Sequence, residues 1–323
     1  MKRIFIVLMA GCCVLYAETT EQISKSFSVQ PGGKLLMDVD FGAIQVTTNS
    51  GTEVTIDVVR KVSRRTKAEE EKFLAERPVN ISQEDGTVKI ISHAKSKTFG
   101  WFRGFQRSEA KYTITVPAQF DAQLKASGGG VMISDLTGKF RAQTSGGSLK
   151  FNRLHGPLDG ETSGGSIQVL DCEGGLKVHT SGGGIDLHGG SGSLEGGTSG
   201  GSIKVSDFQG DTHVETSGGG IRIENVAGRI EGSTSGGSIS ARLSGMTAND
   251  VRLETSGGGV TVDVPPTWAF NLDAETSGGG VSSDLPVTVI GKTGRNSLKG
   301  SVNGGGKALF LRTSGGSIHV KKL

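Results

Sequence analysis

Residues 162–185 read Thr162-Ser163-Gly164-Gly165-Ser166-Ile167-Gln168-Val169-Leu170-Asp171-Cys172-Glu173-Gly174-Gly175-Leu176-Lys177-Val178-His179-Thr180-Ser181-Gly182-Gly183-Gly184-Ile185, and this stretch decides the fold. The phrase Ser-Gly-Gly opens at Ser163 and again at Ser181, 18 residues later. The same spacing places it at Ser127, Ser145, Ser199, Ser217 and Ser235. It continues at Ser256 and Ser277, 21 residues apart, passes a degenerate copy at Asn303-Gly304-Gly305 and closes at Ser314. A fixed period of this length marks a repeat architecture.

Aligned on the serine, the copies form columns. Four residues on stand Val131, Leu149, Ile167, Ile185, Ile203, Ile221 and Ile239. Six on stand Ile133, Phe151, Val169, Leu187, Val205 and Ile223. Nine on stand Leu136, Leu154, Cys172, Phe208 and Val226, with Gly190 the exception. Thirteen on stand Phe140, Leu158, Leu176, Leu194 and Ile230, with Thr212 the exception. The columns between are polar: Lys150, Gln168, Asp186, Lys204 and Arg222 five on, and Arg141, Asp159, Lys177, Glu195, His213 and Glu231 fourteen on. This period of two marks strands with one buried face. Each unit reads as strand, glycine turn, strand, Ser-Gly-Gly turn. Eighteen residues cannot bury that face alone, but a stack of identical coils can. The expected fold is all-β, a parallel β-solenoid with 18-residue glycine-rich coils. A β-propeller needs blades of roughly 40 residues, and a stack of hairpins is the structural rival.

Composition agrees. Glycine supplies 53 of 323 residues, against about 7% in average proteins, with only 7 prolines. That excludes collagen. A net charge of +3 implies neither a nucleic-acid partner nor an acidic tail. Residues 18–125 read as an irregular β cap with one short helix at 66–77, ended by Pro78. The strands there are expected around Leu35-Leu36-Met37-Asp38-Val39, Val54-Thr55-Ile56-Asp57-Val58, Val88-Lys89-Ile90-Ile91 and Tyr112-Thr113-Ile114-Thr115-Val116. Phe41-Gly42-Ala43-Ile44-Gln45-Val46 echoes the repeat, a looser start to the solenoid. The expected division is a signal peptide at 1–17, the cap at 18–125 and the solenoid at 126–323.

Met1-Lys2-Arg3 followed by an apolar run at 4–16 reads as an export signal, cleaved after Ala17. Met9-Ala10-Gly11-Cys12 offers a rival reading, a lipoprotein anchored at Cys12, although Met stands where Leu is usual and Cys13-Val14-Leu15 is apolar. An uncleaved anchor is the third option. The expected location is exported: periplasmic, cell-surface or extracellular. After cleavage at Ala17 only Cys172 remains, so no intramolecular disulfide forms.

The chain resembles the bacterial putative-adhesin family, long catalogued as a domain of unknown function. The resemblance rests on the signal, the Phe41 to Val46 segment, the strand at Tyr112, the Thr-Ser-Gly-Gly-Ser-Ile copies and the close at Arg312-Thr313-Ser314-Gly315-Gly316-Ser317-Ile318-His319-Val320. It implies a β-solenoid envelope protein and brings no catalytic or binding residues with it.

No catalytic, cofactor or metal residues are assigned. The Ser-Gly-Gly serines are repeated without a base column, which is turn chemistry and not a nucleophile. The column eight on reads Asp135, Arg153, Asp171, Gly189, Asp207 and Asn225, which is charge neutralisation along a stack and not a calcium ladder. His155, His179, His188, His213 and His319 fall in five different columns, without the clustering a metal needs. The threonines at 144, 162, 180, 198, 216 and 234 share the inward parity, so their hydroxyls are expected to serve buried backbone groups and not to bind ice. Cys172 is expected in the core, and Trp268 at a loop bulge. The candidate interaction loop is Lys97, Phe99, Trp101, Phe102, Arg103, Phe105 and Arg107, where cations interleave with aromatics. Such a mixture suits anionic headgroups or stacked sugars, and equally a flap of aromatics over the solenoid end.

The functional expectation is a non-enzymatic exported envelope protein, an adhesin presenting repetitive faces to an envelope or extracellular polymer, glycan or protein. A periplasmic structural or regulatory scaffold is the alternative, and a carbohydrate-active β-helix enzyme the minor one. No cofactor and no nucleic acid are expected. Membrane contact would run through a lipid at Cys12 or through residues 99–105.

Overall fold

Alternation of apolar and polar residues writes a strand, and the computed structural model turns nearly every such stretch into one. It describes residues 18–95, 108–243, 248–289 and 294–323. The predicted leader, Cys12 and the whole candidate loop from Lys97 to Arg107 lie outside the described residues. The chain divides into two compact units, Met1–Gly156 and Pro157–Leu323.

In the first unit the strands are β1 (Glu18–Ser28), β2 (Gly33–Val39), β3 (Ala43–Asn49), β4 (Glu53–Ser63), β5 (Asn80–Glu84), β6 (Thr87–Ser92), β7 (Ser108–Pro117), β8 (Phe120–Ala126), β9 (Val131–Ser134), β10 (Phe140–Thr144) and β11 (Leu149–Asn152). The helix α1 (Lys67–Glu76) follows β4. Thr66, expected as the first helical residue, instead caps it by accepting from Glu69 N–H at 3.3 Å. β2 lies parallel between β6 and β8, and β3 parallel between β7 and β9, with Ile44 on Val131. Parallel stacking therefore already includes the Phe41 to Val46 echo. Antiparallel strands enter beyond it: β4 runs against β7, β1 against β4, and β5 against β6.

In the second unit the strands are β12 (Leu158–Thr162), β13 (Ile167–Thr180), β14 (Ile185–Thr198), β15 (Ile203–Ser206), β16 (Gln209–Thr216), β17 (Ile221–Glu224), β18 (Gly228–Thr234), β19 (Ile239–Arg242), β20 (Ala248–Thr255), β21 (Val260–Val264), β22 (Phe270–Thr276), β23 (Val281–Ser283), β24 (Thr288–Val289), β25 (Ser297–Val302), β26 (Lys307–Thr313) and β27 (Ile318–Lys322). From β13 to β17 the paired residues lie 18 positions apart, for example Ile185 with Ile203 and Ile203 with Ile221, and from β18 and β19 the step is 21, as for Ile239 with Val260. The fold is a parallel β-solenoid.

The inward columns are buried as expected, including Cys172 at 0% exposure, whose Sγ lies 3.3 Å from the Leu170 carbonyl. The threonine column is buried too. Thr198, Thr216 and Thr234 each donate to a glycine carbonyl of the coil before, Gly183, Gly201 and Gly219, at 2.7–2.8 Å. Each also accepts a glycine N–H of its own turn at 3.3 Å. Those hydroxyls are spent inside the wall.

The two glycine turns differ in kind. At Gly201 a methyl group would sit 2.0 Å from the Gly183 carbonyl oxygen, so the Ser-Gly-Gly turn needs glycine for close backbone approach. At Gly210 the requirement is doubled by φ of 146° and a contact of 1.7 Å to the Gly192 carbonyl oxygen.

Two sequence expectations need correction. Asn303-Gly304-Gly305 is not a coil turn: its residues are all left-handed, and Gly305 N–H closes on Val302 O at 3.0 Å to link β25 to β26. And the Ser314 coil does not end the stack. β26 pairs in parallel with β20 on one side and β22 on the other, and β27 does the same with β21 and β23. The last coil in sequence is therefore inserted between the Ser256 and Ser277 coils. β25 then covers the free side of β22 in antiparallel fashion, and β24 pairs with β25.

Candidate functional site: the outer polar face of the second unit

Every second residue from β12 to β20 turns outward, and three neighbouring columns make a face. The middle column runs Asp159, Lys177, Glu195, His213, Glu231 and Arg252, paired rung to rung. Its charges alternate in sign apart from His213, which stands between carboxylates. Lys177 Nζ meets Glu195 at 2.9 Å, and that carboxylate holds the lysine pKa above its ordinary value. His213 Nδ1 lies 3.2 Å from Glu231, and its Nε2 lies 3.0 Å from Glu215 on the same strand. Arg229 pairs with Glu231, and its backbone N–H donates to Asp211 at 2.9 Å.

Beside this column Gly175 and Ser193 carry almost no side chain. The lowered floor opens a shallow trough of about 520 Å³, walled by Lys177, Glu195, Asp211, His213, Arg229 and Glu231. A surface of this kind offers fixed donors and acceptors at a repeat of about 4.8 Å. It suits recognition of an extended polar partner.

The corner column at position eight proves to be geometry first and charge second. Asp135, Arg153, Asp171, Asp207 and Asn225 all have φ between 47° and 65°, the left-handed region that Asp and Asn tolerate best. Arg153 pays the larger steric cost and is held by Asp135 at 2.6 Å, and Asn225 donates to Asp207 at 3.0 Å. The Ser-Gly-Gly serines are exposed at their turns. Trp268 packs on Phe270, ring centroids 5.1 Å apart, at the bulge before β22. The sequence had supplied every residue of the outer face. Reading the fourteen-on column for alternation of sign, and the twelve-on column for missing side chains, would have found the trough.

The family described as Toastrack DUF4097 matches residues 36–321. Among solved structures, a putative adhesin from Parabacteroides merdae is similar at 11% identity, covering 94% of this chain and 96% of its own, with a TM-score of 0.36. A putative adhesin from Bacteroides fragilis is similar at 14%, covering 94% and 97%, with a TM-score of 0.32. A putative lipid binding protein from Parabacteroides distasonis is similar at 12%, covering 94% and 96%, with a TM-score of 0.33. No curated protein matches the chain.

Proposed function

Because the chain belongs to the Toastrack DUF4097 family, matched over residues 36–321, we propose that it is a non-enzymatic exported envelope protein acting as an adhesin. It holds a polymer, glycan or protein against the outer polar face of the solenoid. The observation that carries this reading is the in-register ladder from Asp159 to Arg252, with the trough beside it. Lys177, Glu195, His213 and Arg252 are exposed, Asp159 and Glu231 half-exposed, and ion pairs within the face already engage Lys177, Glu195, His213 and Glu231, so a single contact is worth little. Affinity comes from many such contacts engaged together.

The experiment has two parts. Intact producing cells are shaved with protease, with a periplasmic protein as leak control and the mature N-terminus sequenced. Cleavage on intact cells is expected. Protection until the envelope is opened would sink the adhesin and move the search to periplasmic partners. In parallel, Lys177, Glu195, His213 and Arg229 are replaced together by serine. Loss of cell adherence with unchanged circular dichroism is expected, and unchanged adherence removes the face from the reading. Turnover on a panel of polysaccharides would refute the non-enzymatic assignment.

Membrane contact through Cys12 or residues 99–105 belongs to the same proposal. Replacing Trp101 and Phe102 should abolish vesicle or glycan binding without lowering Tm. A fall in Tm with binding retained assigns those aromatics to packing.

A further inference from the structure

β1 is an edge strand of the first unit. Among the described residues β4 is its only strand partner, and their ladder runs unbroken from Glu18 opposite Ser63 to Ser28 opposite Glu53. Just past its end, Val29 N–H donates to Thr52 O at 2.8 Å. Opposed residues of an antiparallel ladder alternate between exchanging both main-chain bonds and exchanging none. The odd-numbered residues of β1 therefore turn their main chain toward β4. Thr20, Gln22, Ser24, Ser26 and Ser28 turn theirs to the open side. The Ser28 carbonyl, on that side, is taken by Gln83 Nε2 at 2.8 Å. The other four have no strand partner among the described residues.

Edge strands are protected by brevity, proline, bulges or inward charges. β1 is 11 residues long, has no proline and keeps an uninterrupted register. Its protection is two charges on the strand face shared with Ile23 and Phe27: Glu21, half-buried, and Lys25, exposed. Glu21 lies opposite Arg60, and Lys25 Nζ reaches the Ile81 carbonyl at 2.9 Å. An arriving apolar strand would strand these charges.

One partner sets an opposite charge against each of them: a second β1, antiparallel, centred on Ile23. Glu21 then faces Lys25 of the other copy, Lys25 faces Glu21, and Ile23 faces Ile23. Gln22 exchanges its outward main-chain bonds with Ser24, and Thr20 with Ser26. In this register the odd-numbered pairs are the close kind without main-chain bonds, whose side chains touch. We propose that the chain forms a two-fold dimer through the open edge of β1, with Ile23 on the axis.

The full chain is expressed with its own leader, purified in non-ionic detergent and sedimented. A dimer is expected at tens of micromolar. Gln22→Pro removes an outward N–H that β4 does not use, so it should sediment as a monomer with Tm changed by no more than a few degrees. Lys25→Glu should raise the dimer Kd at least tenfold. Without reductant, Ile23→Cys should give a covalent dimer. Ser26→Cys should not, because its counterpart lies six residues away, roughly 20 Å. A monomeric wild type overturns the proposal. So does a dimer that survives both Gln22→Pro and Lys25→Glu, or a Ser26→Cys chain that cross-links as readily as Ile23→Cys.

Discussion

From β13 to β19 one solution is repeated, whereas β1 to β7 are held by contacts that occur once. In the repeated region the same threonine bonds the same glycine carbonyl in coil after coil, and the same backbone approach excludes every side chain but hydrogen. In the first unit the work falls to single residues. Arg60, 1% exposed, pairs with Glu21 and donates to the Arg77 carbonyl. Glu70, fully buried, accepts from Thr19 at 2.6 Å and from Arg64 N–H at 2.9 Å. The guanidinium groups of Arg64 and Arg77 both stack on the Phe73 ring. Repetition lets one good turn serve a whole wall. Where the coils change to antiparallel strands, each junction needs its own polar residues, because burial there lacks a ready-made backbone partner.

The contrast predicts which substitutions hurt most. Gly210→Ala combines a left-handed backbone with a methyl placed on the Gly192 carbonyl. It should cost about 3–5 kcal/mol in urea unfolding. Gly146→Ala, where nothing lies within 4 Å, should be neutral or stabilise by about 0.5 kcal/mol. Equal effects would deny that backbone stacking sets the glycine pattern.

Arg60→Met should cost about 2–3 kcal/mol. It leaves Glu21 and the Arg77 carbonyl without their partner, and Glu21 is about one-third exposed, which keeps the loss below that of a fully buried pair. A smaller loss than one threonine rung would place the weight of the first unit elsewhere. Thr216→Val keeps the shape and deletes the bond to Gly201, and should cost about 1–2 kcal/mol by the same measurement. Thr198→Val should match it, since the rungs are equivalent.

The smallest effect is one of pH, confined to the first unit. His93 pairs with Asp40 at 2.8 Å and Asp38 at 3.4 Å. The hydrogen bond to Asp40 raises its pKa above the ordinary 6.5, against partial burial and aided by Asp38. Partial burial pushes Asp40 up, but its hydrogen bonds from His93 and Ala94 outweigh this and leave it below 3.8. A raised histidine stabilises fully below pH 6.5 and loses that contribution as pH rises through its folded value. A lowered carboxylate stabilises above 3.8 and loses it as pH falls. The pair therefore contributes most between about pH 4 and 6.5. Raising pH from 6 to 8 should lower the unfolding free energy slightly, by less than about 1 kcal/mol for so exposed a pair, read from urea unfolding. His93→Gln should flatten the profile, and an unchanged slope would remove the pair from the account.

Much of this was legible. The columns ending at Ile239 and Thr234 named the core, the stretch from Thr66 to Arg77 named the helix, and inward parity named the threonine bonds. The left-handed corner at Asp171 and Asp207 was written as an Asp/Asn/Gly column, but charge is the louder signal and masked it. β1 escaped notice because Glu18-Thr19-Thr20-Glu21-Gln22 lacks the apolar alternation of a core strand. An edge strand needs only half of that pattern. The outer trough was missed because it depends on side chains that are absent, at Gly175 and Ser193.

By itself the sequence determined the coil: its length, its inward face, its turns and the hydroxyl rungs that seal it. These follow from local periodicity, and every copy states them again. Only the tertiary structure decided which coil lies on which. Equivalent coils present equivalent edges, so the Ser314 coil could stack on many others. Its place between the Ser256 and Ser277 coils depends on non-local pairing, with β25 covering β22 and the turn at Asn303 returning the chain. Periodicity carries no information about that choice, because it makes the competing neighbours alike.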